Sequence, residues 1–392
     1  MGVLIKRDLV DIARWPGDCF ASIYLPKETV GAAKLADQIR FKNLLKLADD
    51  GLRQSGRSPA EVQKMIEPAR ALFNVPQILE TARGGLAVFL SHDHFGAWNL
   101  PFACAEQCVV AGHPLIVPIL PIQSDAPYYV LAISQNQIRL LRGTQYRLDE
   151  IEVPGLPADM EDALHYDRRE GMFQTHSGQP QLRGKESAVF HGQGGLADVK
   201  NNELASFFRE VDRGVASYLK GRNELLLFAG VDYLLPIYRE VNNYPHLAQE
   251  YISGNPELLS HGELRKRAWP VFESQRRQQR TAAVARYWDG IARDEASNRL
   301  EDVLVAAHAG VVETLFIDPS VRRIGTFAPE SCSVRIDQRP QPDGEDLINL
   351  AALLVLRSSG MVESVQSGNI PGGGAVAAVY RYVFPPIAAQ LV

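Results

Sequence analysis

The sequence has few cysteines, and they are spread along the chain. Of its 392 residues 4 are cysteines, only Cys104 and Cys108 are close neighbours, and no second pair completes a zinc-binding pattern. We therefore expect free buried thiols in a reducing cytosol. The sequence implies no metal and no organic cofactor.

The chain also lacks long apolar runs and an excess of positive charge. No run approaches the roughly 18 apolar residues of a membrane span, and the N-terminus MGVLIKRDLVDIARW has no apolar signal-peptide core. We expect a cytoplasmic protein. The net charge of −5 argues against a protein that coats nucleic acid through a global positive field, so any RNA contact must be local.

What is present is typical of a soluble protein with several domains. Hydrophobic residues make up 46% of the chain and charged residues 22%. Because 392 residues exceed what one hydrophobic core usually supports, we expect two or three domains. The sequence pattern changes near Pro121 and again near residue 221, which divides the chain into 1–121, 122–221 and 222–392.

Residues 1–121 combine strands and amphipathic helices. Strands are predicted at 20–26, 84–91 and 94–101, the last two as an antiparallel hairpin with its turn at His92 and Asp93. A helix is predicted over 33–54, with its apolar face formed by Leu35, Ile39, Leu44, Leu47 and Ala48. A second helix is expected after Ser58, which forms a capping box with Glu61. A linker with several prolines, near Pro121, ends the block.

Residues 122–221 indicate a small, strand-rich domain. Strands are predicted at 128–134, 137–143 and 148–153. A long polar stretch without period, 154–188, then leads to the glycine-rich segment HGQGG. Apolar side chains recur after it at helical spacing, at Phe207, Val211, Val215 and Leu219. The glycine segment is therefore expected at the entry of a helix.

Residues 222–392 alternate between strands and helices. Strands are predicted at 224–231, 311–318, 360–366 and 375–383. Long charged helices are predicted between 256 and 309, with a break or kink at Pro270, and a further helix at 345–357. The predicted fold class is thus α/β and α+β in three domains: a mixed-sheet N-terminal domain, a small strand-rich middle domain with a glycine loop and helix, and a C-terminal α/β layered domain.

The stretch most informative about function is His191-Gly192-Gln193-Gly194-Gly195. Its glycines allow positive φ angles and a close approach of the backbone to a partner. Gln193 is the side chain in this loop that offers both an amide donor and a carbonyl acceptor. His191 could serve as a general base, but no carboxylate stands at an informative spacing, and a hydrogen-bonded loop histidine is the simpler interpretation.

The loop and its neighbourhood resemble a known family. HGQGGLADVK is similar to the HGRGGQSALR stretch of the archaeal and eukaryotic class 1 peptide chain release factors. YYVLAISQNQIRLLRG, ELLLFAGVDYLLPIYREV and GMVESVQSGNIPGGGAVAAVYRYV resemble further segments of those proteins, in the same order. The chain is identified as resembling the bacterial group of archaeo-eukaryotic release-factor-like proteins.

The resemblance implies a catalytic loop. In the family this loop enters the ribosomal peptidyl transferase centre, where it helps to hydrolyse the peptidyl-tRNA ester. Gln193, Gly194 and Gly195 would be the catalytic residues: the glycines permit the approach, and Gln193 or the N–H of Leu196 positions water. Leu196 stands where the family has glutamine. The alternative is a flexible glycine hinge before a helix.

The resemblance also implies contacts with RNA. Arg168, Arg169, Arg183 and Lys185 flank the loop and could steer a tRNA acceptor end, together with His191 and Gly192. Two further basic groups, Arg265-Lys266-Arg267 and Arg276-Arg277 with Arg280, lie on predicted helices. Acidic residues stand near each group, so solvated surfaces are an equally open interpretation.

Two other motifs suggest chemistry. His92-Asp93-His94 offers two imidazoles to a metal, but no third ligand is apparent, and a hairpin turn is favoured. Pro371-Gly372-Gly373-Gly374 lacks the Gly-Lys-Ser/Thr ending of a phosphate-binding loop, and a strand follows it. We interpret it as close backbone packing, or as a ribosomal or partner contact.

These observations lead to a functional hypothesis. The first domain has neither the NIKS loop nor the YxCxxxF pattern that the family uses for stop codons, so codon-directed termination is disfavoured. We expect a ribosome-associated, codon-independent peptidyl-tRNA hydrolase in translation rescue or quality control, with the large ribosomal subunit and the tRNA acceptor end as partners. The alternatives are a non-catalytic ribosome- or tRNA-binding factor and a module that binds a protein partner through the C-terminal domain.

Overall fold

The structure is a computed structural model. It describes residues 2–27, 33–72, 84–124, 127–134, 136–162, 195–337, 344–366 and 368–384, and for 33–35, 124 and 195–203 it describes the backbone alone. None of the helices in these ranges is both long and apolar enough to span a membrane.

Helices occur throughout the described ranges. They are α1 (Lys6–Ala13), α2 (Ala33–Gln54), α3 (Pro59–Ala71), α4 (Gly195–Tyr218), α5 (Leu234–Val241), α6 (His261–Gly290), α7 (Leu300–His308) and α8 (Leu347–Arg357). Short 3-10 helices cover Val117–Ser124 and Ile291–Arg293.

The strands of the described ranges form four sheets. They are β1 (Phe20–Lys27), β2 (Gly84–Leu90), β3 (Phe95–Leu100), β4 (Gln107–Ala111), β5 (Tyr128–Ile133), β6 (Ile138–Gly143), β7 (Leu148–Ile151), β8 (Leu225–Gly230), β9 (Ile252–Ser253), β10 (Ala296–Ser297), β11 (Val312–Ile317), β12 (Ile324–Ala328), β13 (Ser333–Ile336), β14 (Glu345–Asp346), β15 (Met361–Ser364) and β16 (Val376–Tyr380). The predicted α/β and α+β fold class is confirmed.

The chain forms two compact units. The first unit combines Met1–Asp125 with Gln279–Val392, and the second unit is Ala126–Gln278. The N-terminal and C-terminal regions thus belong to one unit, and strand β8 lies in the same sheet as β5. The domain boundaries at 121 and 221 stay predictions, and the sheet that contains β5 and β8 crosses the second of them.

The first sheet of the first unit has the order β3-β2-β1-β4, and its strand pairs are antiparallel. Helices α2 and α3 cover one face of it. The capping box of α3 is confirmed, since the Ser58 N–H donates to Glu61 Oε2 at 2.8 Å. The predicted apolar face of α2 is partly wrong, because Ile39 and Leu47 are 54% and 57% exposed.

The buried face of α2 contains only some of the predicted residues, because the helical period alone does not decide which of two neighbouring stripes meets the sheet. The aromatic ring of Phe41 and the side chain of Leu45 lie on the stripe that does. Leu44, Ala48 and Leu52 complete that stripe and pack against β1 and β2.

The other face of this sheet shares a core with the C-terminal region. Helix α1, the 3-10 helix Val117–Ser124 and helices α7 and α8 contribute to one buried cluster. The predicted linker near Pro121 is packed over its first part, since Ile116, Ile119 and Ile122 are 0–2% exposed, and the two units divide at its end, between Asp125 and Ala126. This segment is a 3-10 helix and not an exposed connection. The apolar side chains between its prolines are removed from water, which stabilises the packed arrangement.

The C-terminal sheet of the first unit has the order β10-β16-β11-β15. Strands β11 and β15 are parallel, and β16 is antiparallel to β10 and β11. Helices α7 and α8 bury their apolar faces against it. A smaller sheet with the order β13-β12-β14, which the sequence analysis did not predict, lies between α7 and α8 in chain order.

The second unit is a three-layer structure around a sheet with the order β7-β6-β5-β8-β9. Strands β5 and β8 are parallel, which requires a crossover, and α4 lies within that crossover. Helices α4 and α5 cover one face of the sheet, and the first half of α6 covers the other. Of the break or kink predicted at Pro270 the break is wrong, since α6 continues through it and Ala268 and Phe272 on either side are buried.

Candidate functional site

Helix α4 is the element that carries the glycine loop. Its buried face consists of side chains at helical spacing that pack on the sheet: Leu204, Phe207, Phe208, Val211 and Val215. The sequence predicts Phe207, Val211 and Val215 of this stripe, and its burial fixes the helix on β5, β6 and β8. From Leu204 the backbone stays helical back to Gly195, roughly 14 Å further along the axis at 1.5 Å per residue.

A buried carboxylate holds α4 to the segment that follows α5. Asp212 is 1% exposed and accepts hydrogen bonds from the backbone N–H of Asn243 at 3.1 Å and from its Nδ2 at 2.7 Å. Burial raises the pKa of Asp212, and the bonds from Asn243 oppose that rise. Tyr238 lies beside it, and burial followed by the charge of Asp212 raises the pKa of that phenol.

The sequence analysis missed this anchor. The signal for it was a polar residue on the apolar face, because Asp212 is four residues after Phe208 and three before Val215, which are both buried. A polar side chain at such a position needs a hydrogen-bond partner. Asn243, which supplies it, is too far along the chain for a local pattern to reveal.

The segment that leads from β7 towards the glycine loop also contacts α4. A Cβ placed on Gly214 would lie 3.1 Å from the carbonyl oxygen of Gly155 and 3.1 Å from Cα of Leu156. Glycine at this position therefore allows the backbone to pass close to the helix. Gly155 itself has a φ of +80°, which turns the chain at that contact.

Gly195 is the first residue of α4. The other predicted site residues lie outside the described residues: Gln193, Gly194, His191, Gly192, Arg183, Lys185, Arg168 and Arg169. Their catalytic and RNA-binding roles stay predictions. What the backbone of α4 contributes is a helix N-terminus at Gly195, where the first four N–H groups have no acceptor within the helix.

The His92-Asp93-His94 motif forms a hairpin turn, as favoured. Strands β2 and β3 pair up to Leu90 and Phe95 on either side of it. Nδ1 of His92 lies 2.7 Å from the Asp93 carboxylate, whereas the His94 ring stacks on Trp15 at 5.2 Å between centroids. The two imidazoles thus have separate partners. No group of three or more histidine, cysteine or acidic side chains in the described ranges is placed to hold a metal ion.

The triple glycine segment packs closely at its first position. The φ angles of Gly372, Gly373 and Gly374 are +73°, +77° and +88°. A Cβ on Gly372 would lie 2.2 Å from the Tyr287 hydroxyl, and the carbonyl of Gly372 accepts from Asn298 Nδ2 at 2.8 Å. Nothing lies within 4 Å of a Cβ on Gly373 or Gly374. Close backbone packing therefore explains the first glycine, and left-handed backbone explains all three.

The basic residues of α6 are partly engaged in structural contacts. Arg265 Nη1 donates to the carbonyl of Gln145 at 2.5 Å. Arg280 Nη2 lies 3.1 Å from Oε2 of Glu363, which is buried. Lys266 and Arg267 are exposed. The helix therefore presents a mixture of structural and solvent-facing cations rather than one continuous basic face.

The cysteines are free, as expected, but only Cys19 is fully buried. Cys104 and Cys108 are half-buried, and burial raises the pKa of each thiol to about 11. At neutral pH these groups are neutral thiols, which are poor nucleophiles and poor metal ligands.

The comparison with known families gives a match that lies within the second unit. The family model of bacterial archaeo-eukaryotic release factor family 7 matches residues 128–274. That range begins at β5, includes α4 and ends within α6. The resemblance to the bacterial archaeo-eukaryotic release-factor-like family is confirmed. No curated protein matches the chain.

Solved structures also match the chain. An archaeal translation termination factor is 14% identical, with 97% of this chain and 99% of that chain covered and a TM-score of 0.22. Pelota from Archaeoglobus fulgidus is 15% identical, with 77% and 80% covered and a TM-score of 0.31. Dom34 from S. cerevisiae is 9% identical, with 77% and 74% covered and a TM-score of 0.39. At these identities and scores nothing about function follows from the likeness.

Proposed function

We propose that this protein is a ribosome-associated, codon-independent release-factor-like protein that hydrolyses the peptidyl-tRNA ester in translation rescue or quality control. The observation that carries the proposal is the family match over 128–274, a range that contains the HGQGG segment and the helix that begins at its last glycine. The proposed partners are the large ribosomal subunit and the tRNA acceptor end.

The packing of the second unit supports the proposal that the glycine loop is presented by a helix that is fixed in place. Helix α4 is held by its buried stripe and by the Asp212–Asn243 contact. The segment that follows β7 passes close to this helix at Gly214, and the chain enters the helix at Gly195. A firmly packed helix can position a glycine loop at its N-terminus against a large RNA partner.

The proposed chemistry is attack of water on the ester carbonyl. The oxygen of water forms a bond to the carbonyl carbon, the bond to the ribose oxygen breaks, and a proton passes to that leaving oxygen. Gly194 and Gly195 would allow the backbone to approach, and Gln193 or the N–H of Leu196 would hold the water or the developing oxyanion. N–H groups at the start of α4 are suited to an oxyanion, because helix N-termini favour negative charge.

The basic residues around the loop would provide affinity for tRNA. Arg168, Arg169, Arg183 and Lys185 are proposed to contact phosphates, with His191 and Gly192 nearer to the acceptor end. Such contacts release counterions, so binding should weaken steeply as salt concentration rises. Because the net charge of the chain is −5, this affinity has to come from a local patch.

The decisive experiment measures release of labelled peptide from peptidyl-tRNA on purified ribosomal complexes. The double variant Gly194→Ala plus Gly195→Ala is expected to lower the release rate by about 100-fold or more, as loss of an oxyanion contact does. Gln193→Ala tests whether this side chain has taken over from the family glutamine. Gly262→Ala is the matched control, because Gly262 stands in the first turn of another long helix and is exposed.

Three outcomes separate the alternatives. Loop-dependent release supports the hydrolase. No release by the intact protein, with salt-sensitive binding to large subunits retained, supports a non-catalytic factor that blocks the peptidyl transferase centre, a function for which Leu196 at the glutamine position is no handicap. Neither release nor ribosome binding would leave the third alternative, a module that binds a protein partner through the C-terminal region.

A further inference from the structure

The first unit contains a concave site of its own. It is an open pocket of about 350 Å³ at the junction of α1 and α8. Its lining comprises Arg14, Trp15, Pro16, Gly17, His113 and Arg357. Three cationic or potentially cationic side chains and one indole thus surround a space that lies at the lower end of the size range of small-molecule sites.

The two arginines bring positive charge that has no acidic partner in the described part of the chain. Arg357 donates its Nε–H to the carbonyl of Ala13 at 2.5 Å, which fixes the guanidinium over the end of α1. Arg14 is exposed. The nearest acids on α1 and after it are engaged elsewhere, with Asp11 against Arg7 and Asp18 against Arg57.

His113 completes the polar side of the pocket. Its Nε2 lies 3.6 Å from Glu345 Oε2, and its Nδ1 is buried with no hydrogen-bond partner among the described residues. A buried ring nitrogen without a partner is unusual in a folded protein. Burial, followed by the charge of Arg357, lowers the pKa of His113, which agrees with an excess of positive charge at this point.

The apolar side of the pocket is held rigidly. Trp15 is stacked on His94 and packs edge-on against Phe89 at 6.5 Å between centroids. Gly17, with a φ of +149°, lets the chain turn where a Cβ would lie 2.8 Å from the ring of Phe20. The Trp15-Pro16-Gly17 segment therefore offers a fixed flat wall beside the cationic groups.

We propose that this pocket binds a small phosphate monoester. The phosphate would lie with Arg14 and Arg357, whose guanidinium groups match phosphate oxygens in geometry, and the attached organic group would contact Trp15 and Pro16. Two guanidiniums favour a dianion over a carboxylate, and the limited volume favours a ligand of about the size of a mononucleotide. This proposal is independent of the function proposed for the glycine loop.

The test is titration calorimetry of the full chain with adenosine 5′-monophosphate, with inorganic phosphate and with adenosine. We expect the monophosphate to bind, inorganic phosphate to bind more weakly, and adenosine not to bind. Arg14→Gln should weaken binding of the monophosphate at least tenfold. Arg7→Gln is the matched control, because Arg7 is on α1, the helix that Arg14 directly follows, its side chain is 85% exposed and it does not line the pocket.

Other results would overturn the proposal. Equal binding of adenosine and its monophosphate would show that the phosphate is not recognised, and absence of binding by both phosphates would remove the site. If Arg14→Gln and Arg7→Gln weakened binding of the monophosphate equally, the binding would come from general surface charge and not from the pocket. His113→Gln provides a second variant within the pocket, and it should weaken binding of the monophosphate. Its melting temperature without ligand should stay within a few degrees of that of the parent protein.

Discussion

The side-chain amide of Asn349 holds the backbone at Ile116, more than half the chain away in sequence. Its Oδ1 accepts the N–H of Ile116 at 2.8 Å and that of Val117 at 3.3 Å, and its Nδ2 donates to the carbonyl of Pro114 at 3.0 Å. Asn349 is on α8 and 5% exposed. One buried amide thus satisfies backbone groups at the entry of the 3-10 helix Val117–Ser124.

Replacing Asn349 with Leu should destabilise the first unit. The variant keeps the approximate size of the side chain but leaves two N–H groups and one carbonyl buried without partners, which costs about 3 kcal/mol or more in total. Hydrogen exchange of the Ile116 backbone amide and urea unfolding both measure the loss of stability. Asn298→Ala is the control, because its bond to the Gly372 carbonyl is exposed and its loss should cost less than about 1 kcal/mol.

This contact shows where sequence patterns stop being informative. The capping box at Ser58 and the hairpin at His92 depend on residues within a few positions of each other, and both were predicted correctly. Prolines usually mark turns, so the sequence predicts a linker around Pro121. Its burial depends on α8, and no local pattern contains that information.

The same limit applies to the candidate site. The helical period predicted α4 and its buried stripe, and the glycine motif predicted a loop at the start of that helix. The partner of Asp212, which is Asn243, and the close contact of Gly214 with Gly155 required the three-dimensional structure. The period of α2 likewise did not show that Phe41, rather than Ile39, meets the sheet.

Asp212 should make the stability of the second unit depend on pH. Its pKa is raised in the folded state, so the folded protein holds the proton more tightly than the unfolded chain. The stability that this group contributes is therefore fully present below the usual pKa of 3.8 and is lost as pH rises through the raised value. Asp212→Asn should remove that decline, although one hydrogen bond from Asn243 is lost.

Urea unfolding of parent and variant between about pH 4 and pH 7 measures this effect. The difference in unfolding free energy should shift in favour of Asp212→Asn as pH rises. Glu240→Gln, on the exposed side of α5, controls for the change in net charge. A difference that stays constant across the range would contradict the assignment.

Cys104 and Cys108 should react slowly in the folded protein. Burial raises the pKa of each thiol from 9.0 to about 11, which lowers the thiolate fraction near neutral pH by about 100-fold. Iodoacetamide labelling at pH 8, read by mass spectrometry, should be about 100-fold faster for both residues in urea than in the native protein. Equal rates in the two states would show that neither thiol is protected.

Gly372 and Gly373 should respond differently to the same substitution, although both have positive φ angles of +73° and +77°. Gly373→Ala meets only the backbone penalty of about 1–2 kcal/mol, because nothing lies within 4 Å of its Cβ. Gly372→Ala adds a clash with the buried Tyr287, whose hydroxyl would lie 2.2 Å from the new methyl group. Overpacking of this kind costs a further 1–3 kcal/mol, roughly.

Urea unfolding of the two variants side by side tests this difference, with Gly374→Ala as a second open position. Similar losses at all three glycines would mean that Tyr287 moves aside easily and that packing does not require Gly372. A larger loss at Gly372 would assign that glycine to the core of the first unit. Gly373 and Gly374 would then be the positions at which a change in ribosome or partner binding, with the fold intact, reports on function.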